Sequence, residues 1–245
     1  MKIIGIIPAR YKSSRYPGKP LVSILGKPMV IRVCEIAAKA LGVDNVYVAT
    51  EDERIVDVVE KYGYNAIMTS DSHKTGTDRL AEVASKIEAD IYINIQGDEP
   101  MLNPDDILKI AKVKEIHYNE VINGMAYISD EEDPNNINIP KVLVNKNNEL
   151  IYMSRLPIPG IKGTEEKPAY LKQVCIYAFN KSELIIYKDN PVKAYYEKFE
   201  DIEILRFLDH NKRIRMVHVD NFSLAVDVPS DVKIVEAALL KENVK

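Results

Sequence analysis

The 245-residue chain carries 33 Lys and Arg against 37 Asp and Glu, a formal net charge of -4, and 46% of its residues are hydrophobic. That balance provides no global positive field to draw the protein onto nucleic acid or anionic lipid, so any polyanion must be gripped by a local cluster of cations. The length suits one α/β domain with an elaboration, or two small lobes. No stretch approaches the ~20 apolar residues that span a bilayer. The opening apolar run, residues 1–7, is too short for a signal peptide and leads straight into Pro8-Ala9-Arg10. The expectation is a cytoplasmic protein with neither a nucleic-acid nor a membrane partner. Cys34 and Cys175 form neither a disulfide framework nor a metal-spacing motif, and Cys34 reads as buried packing.

In chain order, residues 2–8 form a nearly continuous apolar run, as a strand buried on both faces requires. Pro28 can open a helix in which Val30, Val33, Cys34, Ala37 and Leu41 recur at helical spacing before Gly42 ends it. Residues 46–49 follow as a strand, 52–62 as a helix, 66–68 as a short strand, 77–87 as a helix and 91–95 as a strand. Pro104 then starts a helix reaching about residue 115, with Asp105 and Asp106 at its positive end. Beyond residue 119 strands are expected at 121–128, 141–144, 150–153, 174–179 and 214–219, interrupted by the polar stretch 129–138. Helical patterns cover 202–208 and 229–240. Strands alternating with helices imply an α/β fold, a doubly wound and mostly parallel sheet with a smaller mixed C-terminal elaboration. The expected division is a nucleotide-binding core at 1–118 and a part at 119–245 that shapes one side of a cleft, on the same core. Ligands of such sheets sit beyond the carboxyl ends of the strands, after Ile7, Ala49 and Ile95.

The loop after the first strand, residues 8–21, holds four cations within ten positions, Arg10, Lys12, Arg15 and Lys19, with two hydroxyls and a Pro17-Gly18 turn before Lys19. Backbone amides and cations of this kind cradle and neutralise phosphates. The wording fits neither a P-loop nor a dinucleotide fingerprint. Asp98 follows the fourth strand in Gln96-Gly97-Asp98-Glu99-Pro100, and Asp227 lies in Ala225-Val226-Asp227-Val228-Pro229. Two acids converging on a triphosphate suffice for magnesium, which keeps waters and phosphate oxygens. Asp98 also reads as an ordinary turn residue, and Asp231 as a charge partner for the start of the last helix.

The stretch I-I-P-A-R-Y-K-S-S-R-Y-P-G-K-P-L resembles the signature loop of the CMP-Kdo synthetases, the 3-deoxy-manno-octulosonate cytidylyltransferases. Lys27-Pro28-Met29, the Q-G-D-E-P at 96–100 and the stretch His73-Lys74-Thr75-Gly76-Thr77-Asp78-Arg79-Leu80 are similar to family motifs as well. The resemblance implies that Pro8, Ala9, Arg10, Ser13, Arg15 and Lys19 hold CTP, together with Thr69, Gly76, Thr77, Arg79, Gln96 and Gly97. It makes Arg10, Lys19, Asp98 and Asp227 the catalytic set, with Asp98 and Asp227 as magnesium ligands. His73 receives no catalytic role. On the sugar side it points to Gln96, Ser154, Arg155, Gln173, Tyr177, Glu203 and Arg206. A homodimer through the C-terminal half is also implied.

Three positions depart from the family. Gln173 stands in place of a histidine, Cys175 in place of a glycine and Ile204 in place of a glutamine. All three fall in motifs assigned to the acceptor. A missing hydrogen bond discriminates strongly between substrates, so a different acidic sugar is weighed beside Kdo: 8-amino-Kdo, another ulosonate or a uronate. The product would serve lipopolysaccharide synthesis, a capsule or another surface glycan. The competing readings are a nucleotidyltransferase for another base or a sugar 1-phosphate, and a non-catalytic binding module. The module would fit a chain lacking one of the four catalytic residues, and all four are present.

Overall fold

The computed structural model describes residues 1–12, 16–163, 166–220 and 224–242. Its first strand, β1 (Ile3–Ala9), is followed by a 3-10 turn at Lys19–Leu21 and a small hairpin, β2 (Ser23–Ile24) and β3 (Lys27–Pro28). Next come α1 (Met29–Leu41), β4 (Val46–Thr50), α2 (Glu53–Lys61), β5 (Asn65–Met68), α3 (Gly76–Lys86), β6 (Ile91–Ile95) and α4 (Pro104–Ile116). The second half contains β7 (Val121–Tyr127), β8 (Lys141–Val144), β9 (Leu150–Ser154), β10 (Leu171–Phe179) and α5 (Lys181–Asp189). It ends with α6 (Tyr195–Glu200), α7 (Leu205–Asp209), β11 (Ile214–His218) and α8 (Asp231–Glu242).

Among the described residues one large sheet runs β11-β7-β10-β6-β1-β4-β5, and β8 and β9 attach through β10. Neighbouring strands pair in parallel at β1–β4, β1–β6, β4–β5 and β7–β11, whereas β10 lies antiparallel to both β6 and β7. The doubly wound α/β expectation therefore holds. Side chains of β1 alternate in the two-residue period of a strand: Ile4 and Ile6 enter a core under α3, α5 and α7, and Ile7 and Ala9 one under α1, α2 and α4. Cys34 belongs to the second core at 0% exposure, where burial pushes its thiol up, as its packing role requires. Because β1 crosses to β4 on one side while β6 joins it on the other, the strand order reverses between them. A crevice opens there at their carboxyl ends.

Local chemistry sets the helix starts. Asp52 caps α2 by accepting from Arg54 N at 3.0 Å, and Asn103 caps α4, with Pro104 in its first turn. Thr75 and Asp78 form a reciprocal capping box, so α3 starts at Gly76, one residue before the expected start. The structure departs further from the sequence pattern in the C-terminal half. Strand β10 begins at Leu171, because its polar start pairs with both β7 and β8. The helix expected at 202–208 is confined to Leu205–Asp209, and two helices, α5 and α6, lie outside the expected elements. Helix α5 has its own Asn180–Glu183 capping box but buries only a narrow apolar stripe, with Leu184 and Tyr187 in the core.

A buried ion pair joins the end of α4 to the start of α5. Lys114 Nζ donates to Glu183 Oε2 at 2.7 Å and to the carbonyls of Tyr118 and Glu120, both at 2.7 Å, with Lys114 0% and Glu183 1% exposed. Burial lowers the Lys114 ammonium and raises the Glu183 carboxyl, and the contact between them opposes both shifts. Glu183→Ala would leave the ammonium buried beside neutral carbonyls alone. The expected cost is about 3–5 kcal/mol, read as a lower urea midpoint at unchanged slope. A loss below about 1 kcal/mol would show that water or another group replaces the carboxylate.

Candidate active site

The crevice at the carboxyl ends of β1 and β6 holds the basic loop and Gln96-Gly97-Asp98. Pro8, Ala9, Arg10, Lys19, Gly76, Gln96, Gly97 and Asp98 line a cavity of about 510 Å³. Gly97 is required by a close approach: a Cβ there would lie 2.7 Å from Pro8 O. The loop is closed at its stem by Gly18 N donating to Tyr11 O at 2.9 Å, and Tyr11 N donates to Glu51 Oε1 at 2.9 Å. Gly18 has φ +72°, a conformation that turns the chain so that Lys19 enters the cavity. Ser13 and Arg15, the other loop residues expected at the nucleotide, lie outside the described residues.

Lys19 stands between the two acids. Its Nζ donates to Asp98 Oδ2 at 2.7 Å and lies 3.6 Å from Asp227 Oδ1. Val226 N donates to Asp98 O at 2.9 Å, a backbone bond that brings the C-terminal segment to the end of β6. Asp231 Oδ2 accepts from Asp227 N at 2.8 Å and Val228 N at 2.9 Å, which fixes the turn carrying Asp227 at the start of α8. No group of three or more acids, histidines or cysteines suited to a metal occurs among the described residues. Magnesium asks for less than that in a phosphate site, since one or two carboxylates with waters and phosphate oxygens suffice. Two carboxylates facing one ammonium fit that requirement.

Gly76, Gln96 and Asp98 also border a second cavity of about 990 Å³, which Arg155, Gln173, Cys175, Tyr177, Glu203 and Asp227 reach from the C-terminal half. Arg155 spans its rim, donating to the carbonyls of Ile137 at 2.8 Å and Asp201 at 3.1 Å and to that of Glu200. Burial pushes the Glu203 carboxyl up, and the carboxylate accepts from Thr77 N at 3.4 Å, at the first turn of α3. Burial likewise raises the Tyr177 phenol and the Cys175 thiol.

Several residues expected at a ligand are instead turned into the supports beneath it. Arg79 is 1% exposed, donates to Thr69 Oγ1 and lies 3.0 Å from Glu51 Oε2. Thr69 in turn donates to Thr50 O at 3.1 Å, so both side chains brace the strands behind the loop. Desolvation lowers Arg79, Glu51 raises it, and the charge of nearby Arg10 lowers it further. Thr77 is 1% exposed and reaches the acceptor cavity through its amide on Glu203. Ser154 is buried and donates to Glu200 Oε1 at 2.8 Å. Arg206 forms a two-pronged bond with Glu197, at 2.7 and 2.6 Å, with its guanidinium over the Tyr187 ring. Ile204, read as a change in the acceptor pocket, packs in the hydrophobic core at 1% exposure. Residues without an assigned role also line the acceptor side, among them Lys74, Lys193 and Glu197. Lys74 stands inside the motif around Gly76, while nothing in the local sequence marks Lys193 or Glu197.

The geometry places a cation-rich loop, two converging acids and a larger polar cavity around one shared wall. A family model described as "Cytidylyltransferase" matches residues 4–214. The chain belongs to the cytidylyltransferase family. It is 41% identical over 249 residues to a 3-deoxy-manno-octulosonate cytidylyltransferase of Syntrophobacter fumaroxidans, covering 100% of this chain and 99% of that one. It is 37% identical to an 8-amino-3,8-dideoxy-manno-octulosonate cytidylyltransferase of Shewanella piezotolerans, covering 98% of this chain and 99% of that one. A solved CMP:2-keto-3-deoxy-manno-octonic acid synthetase complexed with CTP superposes with a TM-score of 0.92 at 40% identity, covering 99% of this chain and 100% of that one. In this cytidylyltransferase the Gly97–Pro8 approach sets how closely the nucleotide loop meets Asp98. Gly97→Ala should fold but lose about 100-fold in kcat/KM for CTP, as expected when a loop is displaced by an ångström. Unaltered CTP kinetics in the folded variant would show that the contact is not needed.

Proposed function

We propose that the chain transfers CMP from CTP to an acidic sugar, Kdo or a related 2-keto-3-deoxy sugar acid, and releases pyrophosphate. The observation that carries this reading is Lys19 held between Asp98 and Asp227 at the wall common to the two cavities. The anomeric hydroxyl at C2 of the acceptor forms a bond to the α-phosphorus. The bond from that phosphorus to the pyrophosphate oxygen breaks, and the hydroxyl proton passes to solvent. Nucleotidyl transfer of this kind depends on positioning and charge neutralisation more than on a covalent protein intermediate.

Arg10 and Lys19 neutralise the charge that gathers on the departing pyrophosphate. Arg155 and Lys193 supply positive charge to the cavity that receives the sugar carboxylate. Asp98 and Asp227 would hold a magnesium ion, whose chemistry when bound is to acidify the attacking hydroxyl and offset phosphate charge. No helix among the described residues is long and apolar enough to cross a membrane, and we place the reaction in the cytoplasm, where nucleoside triphosphates are available. The product would be an activated sugar for a surface glycan.

A homodimer completes the proposal. Tyr195, Tyr196 and Phe199 of α6 are 67%, 56% and 68% exposed; the Tyr195 ring meets those of Tyr196 and Phe199, and Tyr196 meets Tyr152 of β9 edge-on. Exposed, clustered aromatic rings are characteristic of an interface, and a second copy of the chain is the proposed occupant.

Pyrophosphate release with magnesium should require CTP over UTP, GTP and ATP, and should proceed with Kdo or 8-amino-Kdo. Activity with none of the sugar acids, including sialic acid and glucuronate, would overturn the reading. Asp227→Ala should retain its fold and lose about 100-fold in kcat; a near wild-type rate at saturating magnesium would remove Asp227 from the metal site. In sedimentation, Phe199→Glu should convert a dimer into a monomer, and an unchanged dimer would place the interface elsewhere.

A further inference from the structure

Strand β10 is irregular where it forms the floor of the acceptor cavity. Its pairing with β7 runs Gln173↔Met125 and Val174↔Gly124, then resumes at Tyr177↔Asn123, leaving Cys175 and Ile176 as an insertion opposite β7. Such a bulge re-aims side chains and breaks the ladder locally. Gly124 admits it: a Cβ there would lie 2.8 Å from Ile176 Cγ2 and 3.2 Å from Val174 O. Asn123, 0% exposed, satisfies the interrupted ladder, because its Nδ2 donates to Val174 O at 2.9 Å and to Ile176 O at 3.0 Å.

Those two bonds fix more than the bulge. Backbone carbonyls only accept, so the amide of Asn123 has one workable orientation, and its Oδ1 faces Gln173. An amide oxygen also only accepts, so Gln173 must present Nε2 to it, and does so at 2.9 Å. The remaining Nε2 proton points to the Tyr177 oxygen at 3.3 Å. Both donors of Gln173 are thereby turned to the protein, and Oε1 is its amide atom left to the cavity that Gln173 lines.

We propose that Asn123 is a positioning residue that makes Gln173 a hydrogen-bond acceptor toward the sugar, so that this part of the pocket reads a donor, a hydroxyl or a protonated amine, on the acidic substrate. The inference rests on the acceptor reading of the larger cavity given above. Glu203, whose carboxyl oxygens line the same cavity, also offers acceptors to such a group. Cys175 and Tyr177, whose protonated forms burial favours, keep this floor uncharged.

The test is steady-state kinetics of the full chain at saturating CTP, with Kdo, 8-amino-Kdo and monodeoxy analogues of Kdo. Gln173→Met removes the acceptor oxygen at similar volume. It should raise the sugar KM about 10- to 100-fold, the cost of leaving one buried polar partner unpaired, with the CTP KM changed by less than about threefold. A hydroxyl donor is identified by the one deoxy analogue that loses this factor with the unaltered chain and loses nothing further in Gln173→Met. An ammonium donor shows instead as a preference for 8-amino-Kdo that Gln173→Met abolishes. Asn123→Leu should raise the sugar KM in the Gln173 background and add little in Gln173→Met. Should Asn123→Leu fail to fold in a thermal melt, Gln173→Lys, which offers donors alone, should lose sugar binding at least as severely as Gln173→Met. An unchanged sugar KM in Gln173→Met, with CTP-dependent pyrophosphate release intact, overturns this assignment and leaves the transferase reading standing. No pyrophosphate release by the unaltered chain with any sugar acid overturns the transferase reading itself.

Discussion

The hydrogen bond from Val226 N to Asp98 O is the contact on which the candidate site depends. It is a backbone bond between the end of β6 and a segment from the far end of the sequence, and it places Asp227 opposite Asp98. Two like charges brought together would repel, and Lys19 Nζ lies between them. The cation comes from the loop after β1, so three distant parts of the chain meet at one point. An apolar cluster of Ile24, Met29, Val226 and Val235 supports that meeting from behind. The small hairpin after Lys19 and the final helix are thus packed together before any ligand arrives.

The same electrostatic logic separates ligand-facing cations from structural ones. Arg10 and Lys19 line the nucleotide cavity, whereas Arg79, Arg206 and Lys114 are each at most 1% exposed and engaged with carboxylates. A buried charge is tolerated only with a partner and further hydrogen bonds, and its removal costs more than the pair contributes in net stability. Arg79 with Glu51 therefore braces the loop stem, since Glu51 also receives the Tyr11 amide. Arg206 is paired with Glu197, which itself reaches the larger cavity.

The N-terminal half was legible because each signal there is local. The apolar run of β1, the Gly42 stop and the Pro104 start depend on a few consecutive residues, and so does the position of Gln96-Gly97-Asp98 at the end of a buried strand. The basic loop is marked by its density of cations alone. Partner choice was not legible. Nothing in the sequence around Arg79 says that Glu51 lies opposite, and Ile204 stood in a motif assigned to the acceptor although its side chain enters the core. Asn123-Gly124 would pass for a turn signal, yet it lies inside β7, where the pair accommodates a bulge in β10. Helix α5 carries no clear period in the sequence because one face of a nine-residue helix buries too few apolar residues to impose one.

Strand β10 explains why these two kinds of information coexist in one site. It is antiparallel to both of its long-sheet neighbours, and its pairing with β6 continues the sheet that holds the nucleotide loop. The larger cavity, built on β10, therefore inherits its position from β6 without a flexible linker, and Gln96 and Asp98 border both cavities. Reacting groups held on rigid elements suffer little misplacement, which is where most of the rate advantage of nucleotidyl transfer resides. Gln173, Cys175 and Tyr177 face the cavity at the two-residue spacing of a strand, and Asn123 restores the ladder to β7 where the bulge breaks it. Gln173 and Cys175 thus lie on a strand apart from β1, β6 and the acids at their ends, and they line the larger cavity alone.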